Sequence, residues 1–228
     1  MRLVLLPGMD GTGDLFAPLL AELPQKYCTE VVSLNSLSAE SYDGQVRLLV
    51  EKLWNNEPKV LVAESYSGPL ALQLCQQLPN CVTAVIFIAS FTGPPSPYSK
   101  HSHKIPLGLM SSGPVSRVVL NYLGFDRKAT QDQLSRVFQS VEKTGMPKMR
   151  QRLRNISRLT NLNVSVNVPA LYIRPKNDRF VSLDTVRQVA TTFSSTEVVE
   201  LQRGHFIGQH SAKECAGQID RFLLEIID

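Results

Sequence analysis

The stretch Lys59-Val60-Leu61-Val62-Ala63-Glu64-Ser65-Tyr66-Ser67-Gly68 decides how the chain reads. After the opening lysine its apolar run is short and continuous, the pattern of a strand covered on both faces. It ends in small-x-Ser-x-small and passes into a predicted helix from Pro69 to Gln77. A strand that turns at once into a helix holds the residue at the turn in a strained backbone, so the residues two before and two after it must be small. Ala63 and Ser67 meet that limit, standing where glycines are usual. With Ser67 at the apex, the flanking residues would be Ser65 and Pro69 and the turn would fall inside the helix. Ser65 is therefore the apex and the candidate nucleophile. Serines also cap helices, so the pentapeptide alone leaves a structural reading open.

Two later strands supply context. Ala170-Leu171-Tyr172-Ile173 runs into Arg174-Pro175-Lys176-Asn177-Asp178, placing an acid in a loop just past a strand. Val198-Val199-Glu200-Leu201 runs into Gln202-Arg203-Gly204-His205-Phe206, placing a histidine after the last strand. Alone, Asp178 suits a surface turn and His205 an ordinary loop. A serine, an acid and a histidine in that order, each just after a strand, favour a nucleophile, an orienting carboxylate and a base.

On these residues the chain resembles the α/β-hydrolase superfamily from Arg2 to its final helix. The resemblance implies an α/β fold, a mostly parallel sheet of about six strands flanked by helices. It also implies Ser65 as nucleophile, His205 as general base and Asp178 as its partner. Leu5-Leu6-Pro7-Gly8-Met9-Asp10-Gly11-Thr12-Gly13 resembles the family's oxyanion loop, with Pro7-Gly8 where His-Gly is frequent. By that alignment the backbone N–H groups of Met9 and Tyr66 face the oxyanion. The activity implied is serine-dependent hydrolysis of carboxylic esters or thioesters through an acyl-enzyme. The same loop is similar to the start of plant lipid and phytol acyltransferases built on this fold, so transfer to an alcohol is the alternative. A non-catalytic binding protein on the same scaffold is the third reading. Asp10 reads either as the functional acid or as an acceptor that pins its own loop, the second favoured because Asp178 has the right place in chain order. Glu64 reads as a partly buried carboxylate with a raised pKa or as hydrogen-bonded structure.

Outward from this motif, short apolar runs alternate with helical stripes, the signature of βα units. Strands are expected at Arg2 to Leu6, Glu30 to Leu34, Lys59 to Ala63, Ala84 to Ala89, Ala170 to Ile173 and Glu197 to Leu201. Phe16, Leu19, Leu20 and Leu23 mark one helix, and Val46, Leu49, Val50 and Leu53 another. Cys215, Ile219, Phe222, Leu223 and Ile226 mark the last. The alternation breaks at Gly93-Pro94-Pro95-Ser96-Pro97. Residues 92–165 read as a helical cap inserted within a single domain, residues 1–228, with helical stretches at Val118 to Leu123 and Gln131 to Val141. An insertion between core strands lies over their carboxyl ends, where ligands bind.

Residues 92–165 hold twelve Lys/Arg against three acids, a surplus of nine in a chain of formal net charge +4, leaving −5 for the rest. That basic cap suits an acidic acyl carrier protein or an anionic lipid headgroup at its rim, with an acyl chain along Leu107, Leu109 and Met110. A solvated helix face explains the same charges. Nucleic acid is not expected, for want of aromatic interleaving or a binding motif. GMDGTG lacks the P-loop Lys-Ser/Thr and the dinucleotide-binding spacing, and no cofactor or metal is expected. Four cysteines without CxxC spacing (Cys28, Cys75, Cys81, Cys215), three of them in apolar surroundings, predict thiols in a reducing compartment and hence a cytoplasmic protein. The longest apolar run, Val82 to Phe91, is too short to span a membrane.

Overall fold

A computed structural model describes residues 1–55 and 57–226. Six strands form one sheet in the order β2-β1-β3-β4-β5-β6, every neighbouring pair parallel. They are β1 (Arg2–Leu6), β2 (Cys28–Val31), β3 (Lys59–Glu64), β4 (Val82–Ile88), β5 (Val166–Pro175) and β6 (Phe193–Leu201). Helices α1 (Ala17–Glu22), α2 (Tyr42–Leu53) and α3 (Gly68–Gln77) link the first four. After β4 come α4 (Pro114–Gly124), α5 (Gln131–Thr144) and α6 (Met146–Ser157). The chain closes with α7 (Leu183–Thr192), α8 (Ile207–His210) and α9 (Ala212–Glu225).

The central strands bury both faces because side chains alternate along a strand and apolar residues occupy both sets. Leu3, Leu5, Val60, Val62, Ile86 and Ile173 pack with Leu19 of α1 and Ile219 of α9. On the other face Val4, Leu6, Leu61, Phe87 and Tyr172 pack with Leu49 of α2, Leu70 of α3 and Val189 of α7. Among the described residues no helix is long and apolar enough to cross a membrane. Cys75, Cys81 and Cys215 are buried and Cys28 is exposed.

The sheet is wholly parallel, and several element bounds depart from sequence expectation for physical reasons. The second strand ends at Val31, before the expected Glu30 to Leu34 run is complete. Val32 and Leu34 are still buried, but Leu34 opens a short 3-10 turn (Leu34–Ser36), and the Asn35 N–H binds the Gly11 carbonyl at 3.2 Å. The last strand begins at Phe193 instead of Glu197, because pairing with β5 recruits the polar Ser195 and Thr196 of an edge strand. Helix α6 follows an apolar stripe of Met146, Met149, Leu153 and Ile156, a stretch that is not among the helices expected from sequence. Its buried residues are Met149, Arg152, Leu153, Asn155 and Ile156, two of them polar.

This topology fixes where ligands can bind. The chain steps from β1 outward to β2 and returns to β3 on the far side of β1, so the strand order reverses between β1 and β3. A crevice opens outside the carboxyl ends of the strands at such a switch point. The loop after β1 and the turn after β3 flank it. Beside it lies a separate cluster, with Leu15 against Phe125, Leu134, Val137, Phe138, Val141 and Met149 of the segment between β4 and β5.

Candidate active site

Ser65 stands at the turn between β3 and α3 with φ 47°, in the left-handed region that non-glycine residues rarely enter. The turn is tight because α3 lies against the chain after β4. A Cβ on Gly68 would sit 1.9 Å from the Phe91 carbonyl oxygen, so only glycine fits there. Ala63 and Ser67 are fully buried. Ser67 does more than stay small, since its hydroxyl donates to the Pro7 carbonyl and ties the turn to the end of β1. From the other side the Ser90 hydroxyl donates to the Ser65 carbonyl at 2.7 Å.

Three loops at the carboxyl ends of β3, β5 and β6 bring Ser65, Asp178 and His205 together. His205 Nε2 lies 2.9 Å from Ser65 Oγ, and Nδ1 lies 2.8 Å from Asp178 Oδ2. The consistent assignment has Nδ1–H donating to the carboxylate and the Ser65 hydroxyl donating to Nε2. Asp178 Oδ1 accepts from the Phe180 and Val181 N–H groups at 2.8 and 3.1 Å, which fixes the carboxylate. Burial, the largest influence on His205, pushes its pKa down. The Asp178 carboxylate, aided by the charge of Glu64, outweighs it and holds the imidazole above its ordinary value.

The loop after β1 passes beside the serine, where a Cβ on Gly8 would lie 3.8 Å from Ser65 Cβ. Asp10 pins this loop, as expected, and also anchors it to the inserted segment. Its carboxylate accepts from the Thr12 N–H and hydroxyl at 3.0 and 2.6 Å and from the Ser140 hydroxyl at 2.7 Å. The Arg152 guanidinium donates to the Met9 and Asp10 carbonyls, both at 2.8 Å, and to Asn35 Oδ1 at 2.8 Å. Arg152, one of the twelve cations of residues 92–165, is buried and belongs to this clamp. Gly11 has φ 66°, and a Cβ there would run into the Arg152 guanidinium at 2.3 Å. Tyr66 follows Ser65 in the first turn before α3, where backbone donors have no partner one turn earlier.

Glu64 is buried, and its Oε2 has no hydrogen-bond partner among the described residues. Burial first, then the Asp10 charge, push its pKa up to about 7, against the opposing pull of His205 and the Gly8 N–H. A carboxyl group that keeps its proton at acidic pH thus sits next to Ser65.

Sequence reasoning missed the turn after α4. Asp126 and Arg127 both take positive φ, 52° and 63°. The Asp126 carboxylate accepts from Asn177 Nδ2 at 2.8 Å and pairs with Arg179 at 3.4 Å, the two neighbours of Asp178. The Arg179 guanidinium also donates to the Tyr122 carbonyl at 2.8 Å. The Phe206 N–H donates to the Gly124 carbonyl at 3.0 Å, and a Cβ on Gly204 would strike that oxygen at 2.6 Å. One turn therefore grips both the acid loop and the histidine loop. A groove of about 580 Å³ between residues 161–164 and α7 contains none of the three aligned side chains. The polar geometry, not that groove, defines the site.

No protein-family model matches the chain, and no curated protein matches it. Solved structures match over nearly its whole length. A hydrolase from Oleispira antarctica is 14% identical with a TM-score of 0.79, covering 98% of this chain and 90% of that one. A thermophilic esterase from Thermogutta terrifontis is 12% identical with a TM-score of 0.79, covering 99% and 90%. An epoxide hydrolase from Bacillus megaterium is 14% identical with a TM-score of 0.72, covering 97% and 93%. At such identities the likeness establishes the fold, which is the α/β-hydrolase fold.

Proposed function

We propose that this α/β-hydrolase-fold chain is a serine-dependent hydrolase of carboxylic esters or thioesters working through an acyl-enzyme. The observation that carries the reading is the hydrogen-bonded line Ser65–His205–Asp178. It lies beside the loop after β1, at the switch point of the sheet. As Ser65 Oγ attacks the carbonyl carbon, His205 Nε2 takes its proton and Asp178 stabilises the imidazolium. The Met9 and Tyr66 N–H groups receive the oxyanion. The imidazolium then protonates the departing alcohol or thiol, leaving the acyl group on Ser65. Water, deprotonated by His205, attacks the acyl-enzyme and releases the acid.

The test is a panel of p-nitrophenyl esters of graded chain length, together with mass-spectrometric mapping of a fluorophosphonate adduct. Turnover and an adduct on Ser65 are expected. An intact protein that neither hydrolyses any ester nor labels at Ser65 would sink the reading and favour a binding protein. The resemblance of Leu6 to Gly13 to acyltransferases gives the second reading a specific footing. Supplying primary alcohols beside water separates the two, because a transferase yields mainly new ester and a hydrolase mainly free acid.

Asp126 acts in this scheme as a positioning residue, holding Asn177 and Arg179 on either side of Asp178. Asp126→Ala is expected to lower kcat on the order of tenfold with little change in KM, since misplacing the acid loop harms the reacting geometry more than binding. Asp126→Asn keeps an acceptor for Asn177 and is expected to restore most of the loss in steady-state assays.

A further inference from the structure

Helix α4 is apolar on both sides: Leu120 packs inward, and a second set of apolar residues faces outward. Val115 and Val118 are 67% and 70% exposed, and Tyr122, one turn further along the same face, is exposed as well. Beside it runs the short 3-10 turn Leu107–Met110, whereas the preceding turn Ser99–Lys104 is held to α6 by the Ser102 hydroxyl donating to the Leu153 carbonyl at 2.7 Å. The Leu107–Met110 turn is held to α4 by the Ser116 hydroxyl donating to the Gly108 carbonyl at 3.2 Å, and it exposes Leu109. At the other end Arg179 stacks on the Tyr122 ring at 4.3 Å, bringing the exposed Phe180 next to it. The Phe180 ring meets His205 edge-on, with centroids 5.0 Å apart. The exposed apolar surface therefore runs from the Leu107–Met110 turn along α4 to the edge of the candidate active site.

A globular domain seldom turns a helix's apolar stripe to water without a use for it. The charges around the stripe say what covers it. From residue 92 to 125 the chain has Lys100, Lys104, Arg117, His101 and His103 and no Asp or Glu. Arg127 and Lys128, just past the end of α4, are exposed, and the Arg127 guanidinium stacks on the Tyr122 ring at 4.9 Å. The one acid of the adjoining turn, Asp126, is already engaged by Asn177 and Arg179. Apolar side chains fringed by cations match a surface that offers hydrocarbon beneath negative headgroups.

We infer that the α4 face, with the Leu107–Met110 turn and Phe180, docks on an anionic lipid–water interface and so presents lipid acyl esters to Ser65. The docking stands by itself, whereas the delivery of esters rests on the hydrolase reading above. The second part follows from Phe180, which is exposed, directly follows the Arg179 that stacks on Tyr122, and meets the His205 ring. Lipid seated on the face would then have its ester groups close to the nucleophile without crossing open water.

Vesicle cosedimentation of the full chain carrying Ser65→Ala tests this while leaving the lipids uncleaved. Phosphatidylcholine vesicles with phosphatidylglycerol are expected to bind, vesicles of phosphatidylcholine alone to bind weakly, and added salt to lower the affinity. Val115→Asp with Val118→Asp, both at exposed sites, is expected to weaken binding at least ~tenfold at an unchanged thermal midpoint. Absence of binding to anionic vesicles, or binding indifferent to the double substitution, would overturn the inference. So would a dimer in sedimentation velocity that the double substitution dissolves, which would assign the face to a second copy of the chain. Because the readout is binding, failure of the ester-hydrolase reading in the esterase panel leaves this test intact, and the two outcomes are distinguishable.

Discussion

Ser65→Ala is expected to lower kcat for a turned-over ester by about 10⁶ with KM nearly unchanged, and Asp178→Asn by about 10⁴. The ranking follows from the geometry. Without Oγ no acyl-enzyme forms, and what remains is polarisation of the carbonyl by the Met9 and Tyr66 N–H groups. In Asp178→Asn the new side chain would still accept from the Phe180 and Val181 N–H groups through its amide oxygen, so the loop keeps its shape. Its NH₂ would face Nδ1, however, and draw the imidazole into the tautomer whose Nε2 carries the proton, leaving no base toward Ser65. Combining the two substitutions is expected to cost no more than Ser65→Ala alone, since the three side chains act as one unit. Neither replacement should reduce the thermal midpoint appreciably. Alanine tolerates φ 47° no worse than serine, and the isosteric amide refills the volume of the carboxylate. Stopped-assay kinetics with a thermal melt on each variant checks both parts. A fall for Ser65→Ala of only a few fold would mean that another group attacks.

The parts of this arrangement legible in sequence are those set by local pattern. β3 and β4 announce themselves as unbroken apolar runs because both faces are covered. The positions of Ser65, Asp178 and His205 follow, each from its place just past a strand. What sequence did not carry is decided by partners distant along the chain. Arg152 looks like one more cation of a basic helix, and only folding shows it buried against the Met9 and Asp10 carbonyls, over 140 positions away. Asp126 reads as a turn residue, and its tie to Asn177 spans 51 positions. Ser67 stands for a glycine on grounds of size, yet its hydroxyl bond to Pro7 uses a group that glycine lacks. The polar half of β6 carries no apolar alternation because an edge strand is held by backbone pairing with β5 and has water on one side. Side-chain periodicity reports burial, and these features depend instead on hydrogen bonds closed by tertiary structure.

Glu64→Gln is expected to flatten the pH dependence of stability, removing about 3 kcal/mol of variation between pH 5 and pH 8. In the folded protein burial and the Asp10 charge raise the Glu64 pKa from 4.5 to about 7. Between those two values the native state holds a proton that the unfolded chain has released, so folding binds protons and stability must fall as pH rises. The contribution is complete below about pH 4.5 and is lost as pH climbs through 7. Oε2 has no partner to offset the desolvated charge, which is why ionisation is costly there. His205, whose pKa is also raised, contributes with the same sign, so the difference between the two curves reports Glu64 together with the part of the His205 shift that Glu64 causes. Urea unfolding at a series of pH values provides the measurement, and parallel curves for the two proteins would show that Glu64 stays ionised throughout. The same substitution removes the negative charge that helps to raise the His205 pKa. The acid limb of the kcat/KM profile, where His205 must be neutral to act as base, should therefore move to lower pH in the variant.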